Sequence, residues 1–274
     1  MRAFDFHDGA ETTAVAGMIN RTRGWLSVLS PMPLQLIRTY ICACVLAAMP
    51  FDAISAAGHL PPAFTATFSL HAFGATVGET RWQVRDEQDI RLFESETEPT
   101  GLYALMRSET IHESSRLRVE GDALIPLLYQ YQRRGGKRAR FVEVDFDWQS
   151  NRVRNTAKGQ TWEMAVPDGT LDKFSYLLAM MRDLNTNKQP LRYDIADGGS
   201  LKRYELTILG RETITTVLGA LETVRIRRKN RKSRTTTLWC ATQLAHLPVR
   251  IEHSEKDGST VTLELQEVTG LTLR

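Results

Sequence analysis

Alternating apolar and polar residues, repeated in segment after segment with short turn sequences between them, constrain this chain more than any other feature. Phe64-Thr-Ala-Thr-Phe-Ser-Leu-His71, Thr80-Arg-Trp-Gln-Val-Arg85 and Ile90-Arg-Leu-Phe-Glu-Ser95 each alternate. A period of two sends successive side chains to opposite faces of a strand, so each segment reads as a strand with one buried face. Gly74 and Gly78 punctuate the first pair, and Asp86-Glu-Gln-Asp89 is a polar turn. The pattern continues with Ser108–Val119, a turn at Glu120-Gly121-Asp122, Leu124–Arg133, a turn at Gly135-Gly136, and Arg138–Trp148. Two glycines between alternating runs suit a tight hairpin whose central residues both need positive φ. Gln160–Val166 stops at Pro167-Asp168-Gly169. Later strands are predicted over Arg203–Leu209, Leu221–Arg228, Thr235–Cys240, Val249–Ser254 and Thr260–Val268, with Lys256-Asp257-Gly258 turning the last pair. Connections this short favour antiparallel neighbours.

One segment follows a different period. Between Thr170 and Leu184, apolar residues fall at 171, 174, 178 and 181, flanked by 177 and 184, which is helical spacing. Thr170 is placed to cap this helix, and Asp172 lies in its first turn, where a negative charge suits the helix dipole. A lone helix in such a chain plugs or covers an open face of a curved sheet. The expected fold is therefore mainly β: an antiparallel, strongly curved sheet or partly open β-barrel with one α-helix over about 170–184, forming a single domain from 58 to 274.

The residues before 58 read differently. Thr39 to Phe51 is an uncharged apolar run, too short for a membrane-spanning helix, which takes roughly 20 residues. Its length fits the apolar core of a secretory signal, and Ser55-Ala56-Ala57 supplies small residues for cleavage after Ala57. Pro50 and Asp52 break both the helix and the apolar face that a buried core helix would need. Asp5, Asp8 and Glu11 are unusual for the basic start of a signal, whereas translation from Met32 gives a compact signal running through Arg38 into the apolar run. Ile41-Cys42-Ala43-Cys44 loosely matches a lipoprotein signal, but the apolar run continues past it. Residues 1–57 are thus expected to be an N-terminal extension and signal peptide, the protein periplasmic, and the mature form without a transmembrane span. Cys240 is then the one cysteine left, so no internal disulfide forms.

Several stretches in order resemble a known family. Leu124-Ile-Pro-Leu-Leu-Tyr-Gln-Tyr131 leads through Gly135-Gly136 to Val144-Asp-Phe-Asp-Trp148, then to Leu171-Asp-Lys-Phe-Ser175, Thr237-Leu-Trp239, Leu247-Pro-Val-Arg-Ile-Glu-His253 and Asp257-Gly258. This order is similar to the bacterial domain of unknown function 3108, across roughly residues 63 to 268. The resemblance implies an exported, β-rich protein and carries no activity, substrate or catalytic residue with it.

Charge and spacing narrow the chemistry. Lys plus Arg number 35 against 32 Asp plus Glu, a net charge of +3, too small a surplus to suggest a nucleic-acid partner. The surplus is locally concentrated in Arg225, Arg227, Arg228, Lys229, Arg231, Lys232 and Arg234, expected at the tip and outer face of a hairpin. There they either protect a solvated sheet edge or contact an anionic envelope component such as lipid head groups. Asp145 and Asp147 share one strand face and form the alternative carboxylate site, although ion pairing with Arg133, Arg134, Arg138 and Arg140 explains them as well. The histidines are not at metal-ligand spacings, so no metal and no cofactor is expected. His112 with Glu113 and His253 with Glu255 read as solvated strand residues, and Ser175 as part of a capping pattern. Trp82, Trp148, Trp162, Trp239, Tyr129 and Tyr131 read as packing residues.

These readings converge on a noncatalytic, envelope-associated periplasmic protein that binds an apolar or amphipathic ligand, an envelope lipid, or a periplasmic protein partner. A periplasmic hydrolase using Asp or His residues is the alternative. N-terminal sequencing of the exported protein is expected to start at Gly58; retention of residues 1–57 would overturn the signal assignment.

Overall fold

The computed structural model describes residues 59–136, 139–229 and 234–273. Met32, the apolar run 39–51 and the cleavage site after Ala57 lie outside the described residues. Fifteen strands form one sheet: β1 (Phe64–Ala72), β2 (Ala75–Glu87), β3 (Ile90–Pro99), β4 (Thr110–Glu120), β5 (Ala123–Arg134), β6 (Arg140–Asp147), β7 (Arg152–Ala157), β8 (Gln160–Ala165), β9 (Leu171–Asp172), β10 (Leu191–Asp197), β11 (Ser200–Thr216), β12 (Gly219–Lys229), β13 (Thr235–Ala241), β14 (Leu247–Ser254) and β15 (Thr260–Thr269). From β1 to β8 and from β10 to β15 each strand pairs antiparallel with the next, as the short turns predict. β15 pairs antiparallel with β1, which puts the first and last strands side by side in mid-sheet. The ladder is open only between β8 and β9, two strands consecutive in the chain.

The alternation that marked the strands becomes an inward and an outward face. Phe64, Ala66 and Phe68 of β1, Trp82 and Val84 of β2, and Val142, Val144 and Phe146 of β6 are all buried at period two. The turn after β5 has both glycines at positive φ (Gly135 75°, Gly136 63°), and a Cβ at Gly135 would lie 2.3 Å from the Ser108 carbonyl oxygen. β7 and β10 were not predicted. In β7 the inward side chains are Val153 and Asn155, so a polar residue hides the alternation; in β10 the alternation of Leu191, Tyr193 and Ile195 ends in adjacent buried Ala196 and Asp197.

The main helix, α2 (Tyr176–Asn185), starts six residues later than its periodicity suggests. Leu171 and Asp172 are drawn instead into the parallel pairing of β9 with β10. Thr170 does not cap the helix, because its hydroxyl donates to the Pro167 carbonyl. Asp172 instead closes the turn that leads into the helix: its Oδ1 accepts from the backbone N–H groups of Phe174 (2.8 Å) and Ser175 (2.7 Å), while Ser175 Oγ accepts from the Asp172 N–H (3.0 Å). This reciprocal arrangement satisfies backbone donors that would otherwise be buried without partners. A second, short helix that the sequence reading lacked, α1 (Gly101–Met106), connects β3 to β4.

α2 is largely buried: Tyr176, Leu177, Leu178, Ala179, Met180, Met181, Asp183 and Leu184 are buried, and Arg182 and Asn185 near its far end are partly exposed. Its first six residues, Tyr176 to Met181, carry no charge and are all buried, as expected of a helix that packs inside a protein, so α2 fills the hollow of the curled sheet. Its far end is tied down by Arg182, which donates to Asp183 Oδ1 and to the Asp122 carbonyl in the β4–β5 turn (2.7 Å). At the open seam, Asn155 Oδ1 of β7 accepts from the Gly199 N–H between β10 and β11 (3.1 Å). The Trp162 indole of β8 covers the same glycine, where a Cβ would meet the ring at 2.3 Å. Side chains thus bridge a seam that the ladder leaves open.

Leu178→Ala, at a fully buried position in the middle of α2, is expected to lower unfolding free energy by about 2–5 kcal/mol. Urea titration followed by circular dichroism measures the change in midpoint.

Candidate functional site

Beside the first turn of α2 the interior is not filled. A cavity of about 180 Å³, partly open to solvent, lies there. Its apolar walls include Leu70, Val77, Ile111, Leu238, Val261 and Leu263, and Trp82 and Phe174 form its floor with the aromatic cluster around Phe93. Phe174 stacks on Phe93 at 3.6 Å between ring centroids, and Trp82 meets both rings edge-on. The strand ends that line it (the ends of β1, β3, β5, β12 and β14 and the starts of β2, β4, β11, β13 and β15) all lie at one pole of the sheet. The β1–β2 turn and α1 are at that pole. Tyr103 of α1 packs on Ala72, Val77 and Val261, whereas Leu102, Leu105 and Met106 are 82%, 85% and 80% exposed.

The charged side chains of the wall are Glu113, Lys173 and Arg228, and Thr80, Ser95, Thr97 and Thr236 add hydroxyls from β2, β3 and β13. Glu113 of β4 reaches the cavity and accepts a hydrogen bond from the Tyr129 hydroxyl (2.6 Å). Burial pushes the Glu113 carboxyl above its usual range, with Lys173 and the Tyr129 hydroxyl opposing the shift. Lys173, also in the wall, lies 3.5 Å from Asp197 Oδ1, and Lys202 donates to Asp197 Oδ2 at 2.6 Å. Burial lowers the Lys173 ammonium while Asp197 and Glu113 raise it. Behind them, fully buried Asp172 accepts from Ser115 Oγ of β4 (2.6 Å) as well as from the backbone at the start of α2. Burial raises its carboxyl, and these hydrogen bonds pull it back.

Arg228 completes the wall. Its guanidinium carbon sits 4.0 Å from the ring centroid of Tyr204 and 5.6 Å from that of Tyr176. Its Nε is buried without a hydrogen-bond partner, and among the described residues no carboxylate makes an ion pair with Arg228. Aromatic faces return about 0.5–2 kcal/mol to a cation. Arg228 keeps part of its surface exposed, so the rings stand in for only the share of its hydration lost around Nε.

The basic run is therefore not one surface. Strand alternation sends Arg225 and Arg227 outward and turns Arg228 inward beside buried Ile226, which corrects the expected uniform outer face. Arg225 pairs with Glu212 at 3.2 Å and Arg234 with Glu255 at 2.6 Å. Lys229 is the last residue of β12, and Arg231 and Lys232 lie outside the described residues.

Asp145 and Asp147 are exposed on the outer face and do not line the cavity. Arg133 cannot serve them because it faces the interior, Arg138 lies outside the described residues, and the strand opposite is β7, whose Arg154 and Arg152 stand across from Asp145 and Asp147. Asp147 is held by its own turn: Oδ2 accepts from the Ser150 hydroxyl (2.6 Å) and Oδ1 from the Gln149 N–H, and the Ser150 bond lowers its carboxyl. His112 is exposed, but Glu113 is not the solvated residue expected. His253 is also buried, its Nδ1 3.0 Å from Thr236 Oγ1. Among the described residues no group of His, Cys, Asp and Glu is placed to hold a metal, and no helix is long and apolar enough to cross a membrane.

The family model described as protein of unknown function (DUF3108) matches residues 64–266. No curated protein matches the sequence. Among solved structures, a beta-barrel-like protein of domain of unknown function DUF1849 from Brucella abortus superposes with a TM-score of 0.52 at 7% identity, covering 77% of this chain and 98% of its own. At that identity the likeness is one of fold.

Glu113→Gln keeps an acceptor for Tyr129 and removes the ionisation. Because the folded state holds the Glu113 proton to higher pH than the unfolded state, the stability tied to it is complete below about pH 4.3 and is lost as pH rises through the folded value. Urea titrations across pH are expected to show the variant gaining on wild type above that point; parallel profiles would count against a buried carboxyl.

Proposed function

This chain belongs to the DUF3108 family, and we propose that it is an exported periplasmic protein that binds an apolar or amphipathic ligand in the cavity beside α2 without transforming it. The observation that carries this reading is the cavity itself, a mostly apolar space in an interior otherwise filled by α2 and the aromatic cluster. A dry cavity near 150 Å³ suffices for a benzene-sized guest, and this one is slightly larger and reached from one pole. Export is supported by the apolar run Thr39–Phe51 and the small residues through Ala57. The exposed apolar side chains of α1 border the same pole, which suits a ligand delivered from an apolar source.

The hydrolase alternative has less support. Asp145 and Asp147 lie outside the cavity, and Ser175 is engaged with Asp172 in the turn that leads into α2. Native mass spectrometry of protein purified from the periplasm is expected to show a small-molecule adduct in wild type and none in Ile111→Trp, which fills the cavity with an indole. Absence of an adduct, together with no binding of an environment-sensitive apolar dye, would sink the proposal.

A further inference from the structure

We infer that the cavity ligand is an amphipathic carboxylate whose head group is held by Arg228 and whose single apolar group occupies the space between Trp82, Phe174 and Leu238. The inference rests on the binding function proposed above and names the chemistry of that ligand.

Three observations lead to it. Arg228 lines the cavity with its Nε buried and unbonded. The two terminal nitrogens of a guanidinium can receive a planar carboxylate through two parallel hydrogen bonds. Tyr204 and Tyr176 hold the guanidinium through their rings, and the Tyr204 hydroxyl lies within hydrogen-bonding reach of it.

The charge balance of the wall points the same way. Asp197 is already shared by Lys173 and Lys202, and Glu113 is bound to the Tyr129 hydroxyl and shifted toward its neutral form. Arg228 makes no direct ion pair, and its nearest compensating carboxylate, Asp197, is the one the two lysines already share. An anion arriving at its edge meets a cation already partly withdrawn from bulk water, where their attraction is stronger than at a surface. The apolar walls around it accept a tail, and the other cation in the wall, Lys173, is already paired with Asp197, which suits a singly charged head group.

Octanoate and octanol, which share a tail length and differ in charge, test this by isothermal titration with the full mature protein. Wild type is expected to bind octanoate at least about tenfold more tightly than octanol, the range of a charge-assisted hydrogen bond. Arg228→Met is expected to lose that preference while still binding octanol. Arg228→Lys, which keeps the charge but presents one nitrogen in place of a planar fork, is expected to retain only part of it, and circular dichroism checks both variants for folding. Equal affinities in wild type would overturn the carboxylate assignment and leave the binding cavity standing. A preference for octanoate that survives in folded Arg228→Met would overturn the role of Arg228. Failure of wild type to bind either molecule would overturn both the inference and the function beneath it.

Discussion

A fifteen-stranded meander that curls on itself encloses more space than its own side chains can fill, and most of this structure answers that constraint. Barrels of about eight strands pack their interiors with side chains alone, and wider ones leave room for ligands or plugs. Here the plug is α2, a ten-residue helix with eight residues buried. Its start is fixed by the reciprocal hydrogen bonds of Asp172 and Ser175, and Asp172 also binds Ser115 across the interior. One carboxylate thereby joins the helix, the edge strand β9 and β4. Its burial is tolerable because each of those donors points at it. The cavity is the space left where the helix begins and the sheet continues.

Polar side chains inside this sheet divide into those that complete the fold and those that face the empty space. Asp172, Ser115, Ser175 and Asp183 spend their hydrogen bonds on one another, on the backbone or on a neighbouring arginine or tyrosine. Glu113, Lys173 and Arg228 border the cavity. Of these, Glu113 and Lys173 have defined partners, whereas Arg228 rests mainly against rings. That difference gives the cavity a polarity, with a cation on one side and aromatic and aliphatic walls on the other.

The strands were legible wherever inward residues were all apolar, and the order of hairpins followed from the short turns. What the sequence concealed were places where tertiary contacts override local pattern. Asn155 faces inward because Gly199 on the far side of the seam needs its carbonyl. The helix loses its first turn because Leu171 and Asp172 find a strand partner in β10. Arg228 reads as one charge among seven in a basic run, and only its place on the inward side of β12, next to Ile226, separates it from Arg225 and Arg227. Strict alternation along β12 was the signal available; counting charges obscured it. Glu113 was hidden in the same way beside exposed His112.

The pairing of β15 with β1 has a further consequence. Thr65 stands opposite Thr269, so the two ends of the described fold leave the sheet as neighbours, and every strand touches its successor around the circuit except at β8 and β9. The architecture is a closed cycle of connections cut open in space at a different point from where it is cut in sequence. A circular permutant that joins the present ends through a short linker and begins anew between β8 and β9 would retain every rung of the ladder. It would also turn the sheet's two natural edges into the chain's first and last strands, and the pairing between β1 and β15, now the longest-range in the fold, would become a local hairpin.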